Sequence, residues 1–274
     1  MWKLWLTALT LYAALCPPQQ PYWTAERMAT ATPVDAPRDT APSPRSALLV
    51  NGTYFDGIPM VGTFFFDTAA VGTGTTSCTG SVVHSPTRDL VLTAAHCARP
   101  LRAARHRVFV PQYRHGAPAA AQPYGVHPVT ALFTDPRYPR DTDLDVAFAR
   151  VDTPVEAATG ALTLTPAAGW THRVTVIGYP AGTNVNKHHQ ALRCTVPTSR
   201  LPGHHQLRMV CGGFYGGVSG GPWITSYEAA TRTGTVIGNT GGYETGGRVH
   251  WISYAPVYGR AALALYARAV AAGR

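Results

Sequence analysis

The sequence of 274 residues predicts an all-β fold closed by a terminal α-helix, and three observations carry that reading. Short runs rich in Val, Phe and Thr recur along the chain, separated by clusters of Gly, Pro, Asn and Asp, as in proteins built of many short strands. Glycine (27) and proline (23) are too frequent for long helices to dominate. Only the last stretch, residues 257–272, is alanine-rich and free of proline, with Leu263, Tyr266 and Val270 at helical spacing.

The elements follow in order. Lys3 and the apolar run over residues 4–16 read as an export signal within 1–31, too short for a membrane span, with Ala29-Thr30-Ala31 as a cleavage candidate. Residues 32–45 carry Pro, Ala, Thr and Ser with few large apolar side chains. They are expected to form a flexible leader or propeptide, with Arg45-Ser46 as a processing point. Strands are predicted at 61–66, 77–84, 90–94, 107–111 and 143–151, making residues 46–151 one half. Residues 152–170 form the crossing, with a short apolar stretch at 161–164. The second half, 171–256, has strands at 173–178, 206–211, 221–225, 234–238 and 248–254, and residues 257–274 close the chain as a helix.

Composition narrows the function classes. The chain is 45% hydrophobic, enough for a full core, and 14% charged. Its formal charge of +9 comes almost wholly from arginines spread along the chain, a solvated surface rather than a nucleic-acid patch. Neither a nucleic-acid partner nor a stable membrane association is expected, and the protein reads as a monomer. Of five cysteines, Cys16 leaves with the signal. The other four allow three connectivities; pairing by proximity gives Cys78–Cys97 and Cys194–Cys211. Each such loop contributes roughly 3 kcal/mol by restricting the unfolded chain. These bonds persist outside the cytosol, so a secreted, extracellular protein is expected. No CxxC pair is present, the pairs His188-His189 and His204-His205 read as solvated loop residues, and no metal or cofactor is called for.

Three motifs carry chemistry. Leu92-Thr93-Ala94-Ala95-His96-Cys97 presents an imidazole beside a cysteine. Asp145-Val146-Ala147-Phe148 presents a carboxylate at the edge of an apolar run, with Asp141 and Asp143 nearby as alternatives. Gly217-Val218-Ser219-Gly220-Gly221-Pro222 presents a hydroxyl among glycines. Serine is a poor nucleophile unless a base lies within hydrogen-bond reach, and a histidine held in one tautomer by a carboxylate is such a base. Gly217 permits the backbone that would aim the N–H groups of Gly217 and Ser219 at an oxyanion.

With Cys-Thr-Gly-Ser-Val-Val at 78–83, Val-Leu-Thr-Ala-Ala-His-Cys at 91–97, Asp-Val-Ala at 145–147 and Gly-Val-Ser-Gly-Gly-Pro at 217–222, the chain resembles the chymotrypsin-like (trypsin-like) serine peptidases over about residues 55–260. Gly-Gly-Pro-Trp at 220–223 is more similar to secreted bacterial members, including the glutamyl-endopeptidase-like branch. The resemblance implies two packed antiparallel β-barrels with His96, Asp145 and Ser219 in the cleft between them, peptide or protein substrates, and a terminal helix. It also implies a substrate-lining strand over 236–242, including Gly238, Asn239 and Thr240.

Three departures matter. Val218 precedes the serine where animal zymogens carry an aspartate, so any propeptide is expected to block the cleft or assist folding. Cys211 does not reproduce the pocket disulfide of the animal enzymes. Gly213 stands six residues before the serine, where trypsins have an aspartate, and no histidine stands on the expected wall.

Two other readings compete with this one. Gly-x-Ser-x-Gly also fits the α/β-hydrolase elbow, but no aspartate follows Ser219 and the tail lacks alternating helices. A catalytically silent homologue that binds peptides in the same cleft is the alternative from a different class.

Overall fold

A computed structural model describes residues 22–35, 49–67, 74–182 and 184–273. The apolar run at 4–16, Cys16 and Arg45-Ser46 lie outside the described residues. The elements in chain order are α1 (Ala25–Ala29), β1 (Thr32–Pro33), β2 (Thr53–Phe55), β3 (Val61–Asp67), β4 (Thr75–Val82), β5 (Leu90–Thr93), α2 (Ala95–Ala103), β6 (Arg107–Pro111), β7 (His127–Thr134), β8 (Ala147–Val151), α3 (Glu156–Thr159), β9 (Ala161–Leu164), β10 (Arg173–Gly178), β11 (Ala191–Pro197), β12 (Ser199–Arg200), β13 (Gln206–Val210), β14 (Pro222–Glu228), β15 (Thr233–Asn239), β16 (Ile252–Pro256) and α4 (Arg260–Ala271).

The first half closes on itself. Strands run in the order β4-β3-β6-β7-β8-β5, and β5 returns to pair with β4, giving a six-stranded antiparallel barrel. Closure removes the exposed edges that an open sheet would present. β1 stands outside this ring, parallel to β4 with Thr32 opposite Thr76. Three consecutive phenylalanines on β3 show how both faces of a barrel strand become buried. Phe64 packs on Phe109, while Phe65, one residue on and therefore on the opposite face, meets Tyr113 and Trp23. All three of Phe64, Phe65 and Phe66 are fully buried. Each such side chain stabilises the fold by roughly 1.5–3 kcal/mol relative to exposure.

The second half divides its strands between two sheets, β2-β11-β10-β14-β15-β9 and β12-β13-β16. They enclose a separate core with Val176, Leu192, Met209, Phe214 and Trp223. The Cys194–Cys211 disulfide joins β11 to the residue after β13 and so ties one sheet to the other. The second disulfide, Cys78–Cys97, joins β4 to α2. The apolar stretch at 161–164 is itself a strand, β9, and it pairs parallel with β15.

Several details depart from the sequence reading. The strand expected at 143–151 begins only at Ala147, because Thr142–Leu144 form a 3-10 turn capped by the Asp141 side chain, which accepts from the Asp143 N–H. The strand expected at 248–254 lies at Ile252–Pro256. β7, β11 and α2 were not expected. In α4 the inward face is Ala262, Leu265 and Ala269 rather than the Leu263 stripe; Leu263 is 37% exposed. Tyr266 packs edge-on against Phe148, and its hydroxyl donates to the His84 carbonyl at 2.6 Å. His189 is buried against Phe65, Tyr113 and Tyr179, not solvated, and burial lowers its pKa to about 3. It is a neutral core ring. Among the described residues no helix is long and apolar enough to cross a membrane.

Candidate active site

Strand register brings the first two groups together. β5 pairs antiparallel with β8, with Thr93 opposite Ala147. His96 follows β5 in the first turn of α2, and Asp145 precedes β8, so both emerge from the same end of the pair. The Asp145 carboxylate is fully buried and receives three N–H donors. The backbone N–H of His96 donates to Oδ1 at 2.9 Å, the His96 ring nitrogen Nδ1 lies 2.7 Å from Oδ2, and the Gly242 N–H donates to Oδ2 at 2.7 Å. Such convergence fixes the rotamer of Asp145 and, through it, the plane of the imidazole. A second layer supports it: Asn239 Nδ2 donates to the Asp145 carbonyl at 3.1 Å, and the buried Tyr258 hydroxyl donates to Asn239 Oδ1 at 3.0 Å.

Ser219 sits on the tight loop entering β14. Gly217 has φ +95°, and a Cβ there would fall 2.8 Å from Ala181 N and from Tyr179 O. At Gly220 (φ +82°) a Cβ would fall 2.2 Å from Thr79 O and from Thr93 Oγ1. Only glycine tolerates both the backbone and the contact. The loop's carbonyls are anchored inward: Thr79 N–H donates to Ser219 O at 2.8 Å and Thr79 Oγ1 to Gly217 O at 2.8 Å. The N–H groups of Gly217 and Ser219 donate to no carbonyl among the described residues. Paired donors of this kind can receive a developing oxyanion.

A fourth residue joins the three. The side chain of Asp35, 3% exposed, reaches Ser219 and His96 at once. Ser219 Oγ donates to Asp35 Oδ2 at 2.5 Å, and His96 Nε2 lies 2.9 Å from Asp35 Oδ1. The imidazole is thus sandwiched between two carboxylates. Burial alone would disfavour its charged form, but the charges of Asp145 and Asp35 and their hydrogen bonds outweigh that and raise its pKa to about 10. His96 is an imidazolium at neutral pH in this arrangement.

Of the sequence-predicted residues, the structure groups His96, Asp145, Ser219 and the amides of Gly217 and Ser219. Asp141 and Asp143 lie apart from His96: Asp141 caps the 3-10 turn, and Asp143 accepts from Gln206 Nε2 at 2.7 Å. Gly238, Asn239 and Thr240 are buried with residues 22–35 in place. Asn239 braces Asp145 as described, and Thr240 Oγ1 accepts from Trp223 Nε1 at 3.2 Å. The chain beyond them, Tyr243–Gly246, folds into a tight turn whose Thr245 carbonyl lies 3.5 Å from Ser219 Oγ. Gly213 N–H donates to His250 Nδ1 at 3.2 Å, and His250 stacks on Tyr215 with centroids 4.5 Å apart.

Sequence reasoning missed Asp35, the Gly242 amide and the Asn239–Tyr258 brace. Asp35 lies 184 residues from Ser219 in the chain, and no local pattern marks it. The expectation that a propeptide blocks the cleft was the one available signal.

Comparison with known proteins bears on the family and the fold. The trypsin family model matches residues 61–258. No curated protein sequence matches. Among solved structures, the protease Anisep from Arthrobacter nicotinovorans is 24% identical, covering 80% of this chain and 99% of its own, with a TM-score of 0.66. A thermostable serine protease, AL20, from an extremophilic microorganism is 26% identical, covering 78% and 97%, with a TM-score of 0.64. A Glu endopeptidase at 15% identity covers 81% and 97%, with a TM-score of 0.58.

Proposed function

Because the chain belongs to the trypsin family, we propose that it is a secreted serine endopeptidase in which Ser219, His96 and Asp145 perform acyl transfer on peptide bonds. Ser219 Oγ attacks the scissile carbonyl carbon while its proton passes to His96 Nε2. Asp145 holds the ring with Nδ1 protonated and stabilises the imidazolium that forms. The carbonyl oxygen, now an anion, is received by the N–H groups of Gly217 and Ser219. His96 then protonates the departing amine, and the same groups in reverse order let water release the acyl product. Substrates are peptides or proteins, the chain acts as a monomer, and the chemistry needs no cofactor.

One observation carries the reading. His96 Nε2 and Ser219 Oγ converge on the two oxygens of a single carboxylate, at 2.9 and 2.5 Å, while Nδ1 of the same ring is held by Asp145. Two groups that touch one carboxylate are positioned to share a proton once that carboxylate leaves. The two disulfides support an oxidising destination. The test is a peptide-library cleavage profile of the processed protein beside Ser219→Ala. Cleavage present in the parent and absent in the variant is expected. Equal cleavage by both, or none by a folded, processed parent, would favour a silent peptide-binding homologue.

A further inference from the structure

We propose that residues 22–35 are a built-in inhibitor of this protein, in which the Asp35 carboxylate locks His96 and Ser219 until the segment is displaced. The proposal rests on the assignment of His96 and Ser219 as base and nucleophile.

The segment is docked along its whole length. Tyr22 stacks on His106 at 3.5 Å, and Arg27 lies over the Tyr22 ring at 4.3 Å. Trp23, Met28 and Ala31 are buried in the core of the first barrel, with Trp23 against Phe65. Thr24 caps α1 by accepting from the Arg27 N–H at 3.2 Å. β1 then adds to β4, and the Val34 N–H donates to the Ser77 carbonyl at 3.2 Å. Pro33 lies so close to Gly216 that a Cβ on that glycine would come within 2.9 Å of it. These contacts deliver Asp35 to the catalytic pair. Trp23, Met28 and Ala31 belong to the core, so this lock requires the export segment to end before Tyr22.

The lock works by chemistry as well as by bulk. Ser219 gives its hydrogen bond to Asp35 instead of His96. His96 Nε2, which must accept the serine proton, faces an anion that keeps it protonated. The carboxylate occupies the point between hydroxyl and imidazole, yet it is a poor electrophile without a leaving group. Ser219 therefore cannot acylate itself on Asp35, and the inhibitor is not consumed. A cavity of about 440 Å³ remains between residues 29–33 on one side and Ala181, Gly182 and residues 184–187 on the other.

The test uses the full chain retaining residues 22–35. The rate at which an organophosphonate labels Ser219, read by mass spectrometry, is compared for the parent, Asp35→Ala, the near-isosteric Asp35→Asn, and the anchor variant Trp23→Ala with Met28→Ala. Loss of the two charge-assisted contacts is expected to raise labelling about 100-fold or more in Asp35→Ala. Asp35→Asn is expected between it and the parent, and the anchor variant is also faster than the parent. A parent labelled as fast as Asp35→Ala overturns the lock and leaves Ser219 standing as nucleophile. A rise in the anchor variant alone overturns the role of Asp35. No labelling of Ser219 in any folded variant, including the chain cleaved behind Asp35 by an added protease, overturns the nucleophile assignment and the lock with it.

Discussion

Asp145→Asn separates a positioned base from a merely nearby one. Three N–H groups converge on the carboxylate: the His96 backbone at 2.9 Å, and the His96 ring and the Gly242 backbone at 2.7 Å each. An amide offers one oxygen and one NH2. With its oxygen toward the ring and Gly242, the NH2 meets the His96 N–H and one buried donor is orphaned. With the amide flipped, the Gly242 N–H is orphaned, and the ring must turn Nδ1 into an acceptor. That tautomer carries its proton on Nε2 and cannot take one from Ser219. An orphaned buried donor costs about 1–3 kcal/mol of stability. Loss of the charge and tautomer lowers kcat by about 10⁴ in the general Ser-His-Asp scheme, and a fall of that order is expected here. The assay is kcat and KM on a peptide substrate for the processed variant, beside its thermal unfolding. A kcat within a few-fold of the parent in a folded variant refutes the assignment of Asp145.

Other outcomes follow from the same contacts. Asn239→Ala removes the bridge between the Asp145 carbonyl and the Tyr258 hydroxyl, and denaturant unfolding should register a loss of about 1–3 kcal/mol, with kcat falling more than KM rises. The raised His96 pKa has a pH signature in the chain that retains Asp35. The imidazolium sits between Asp145 and Asp35, and its folded pKa of about 10 lies above the unfolded value of 6.5. Its stabilisation is therefore complete below pH 6.5 and is lost as pH rises toward 10. The thermal midpoint should fall over that window, less so in Asp35→Asn, and a flat profile would contradict the charged ring. Replacing Cys194 and Cys211 by serine removes the link between the two sheets of the second half. It should lower unfolding stability by roughly 3 kcal/mol.

The parts of the fold and site written in local patterns were legible. Val61–Asp67 and Leu90–Thr93 are apolar, β-branched or aromatic runs, and both became barrel strands. The glycines around Ser219 announce a tight loop because only glycine fits there. What depended on distant partners was not readable. β11 alternates cleanly in burial, but its outward Arg193 and Thr195 and its neighbouring His-rich loop masked the pattern. β7 carries Pro128, and α2 carries Pro100 in its interior, both of which argue against a regular element. The 3-10 turn at Thr142–Leu144 broke the alternation that made Asp141, Asp143 and Asp145 indistinguishable. Residues 32–45 have the composition of a flexible leader; Thr32–Pro33 form a strand because Thr76 and Ser77 of β4 lie beyond the short β4–β5 pairing that closes the barrel at Ser81 and Val82. Nothing local marks Trp23 and Met28 as core residues, because the groove that buries them is built by β3 and its neighbours, far along the chain.

The most direct measurement is pre-steady-state hydrolysis of an activated ester by the processed enzyme, with the quenched protein digested and weighed. The account predicts a burst of one leaving group per chain and an acyl mass on the peptide containing Ser219, both abolished by Ser219→Ala. A burst that survives that substitution, or an adduct on any other residue, would contradict it.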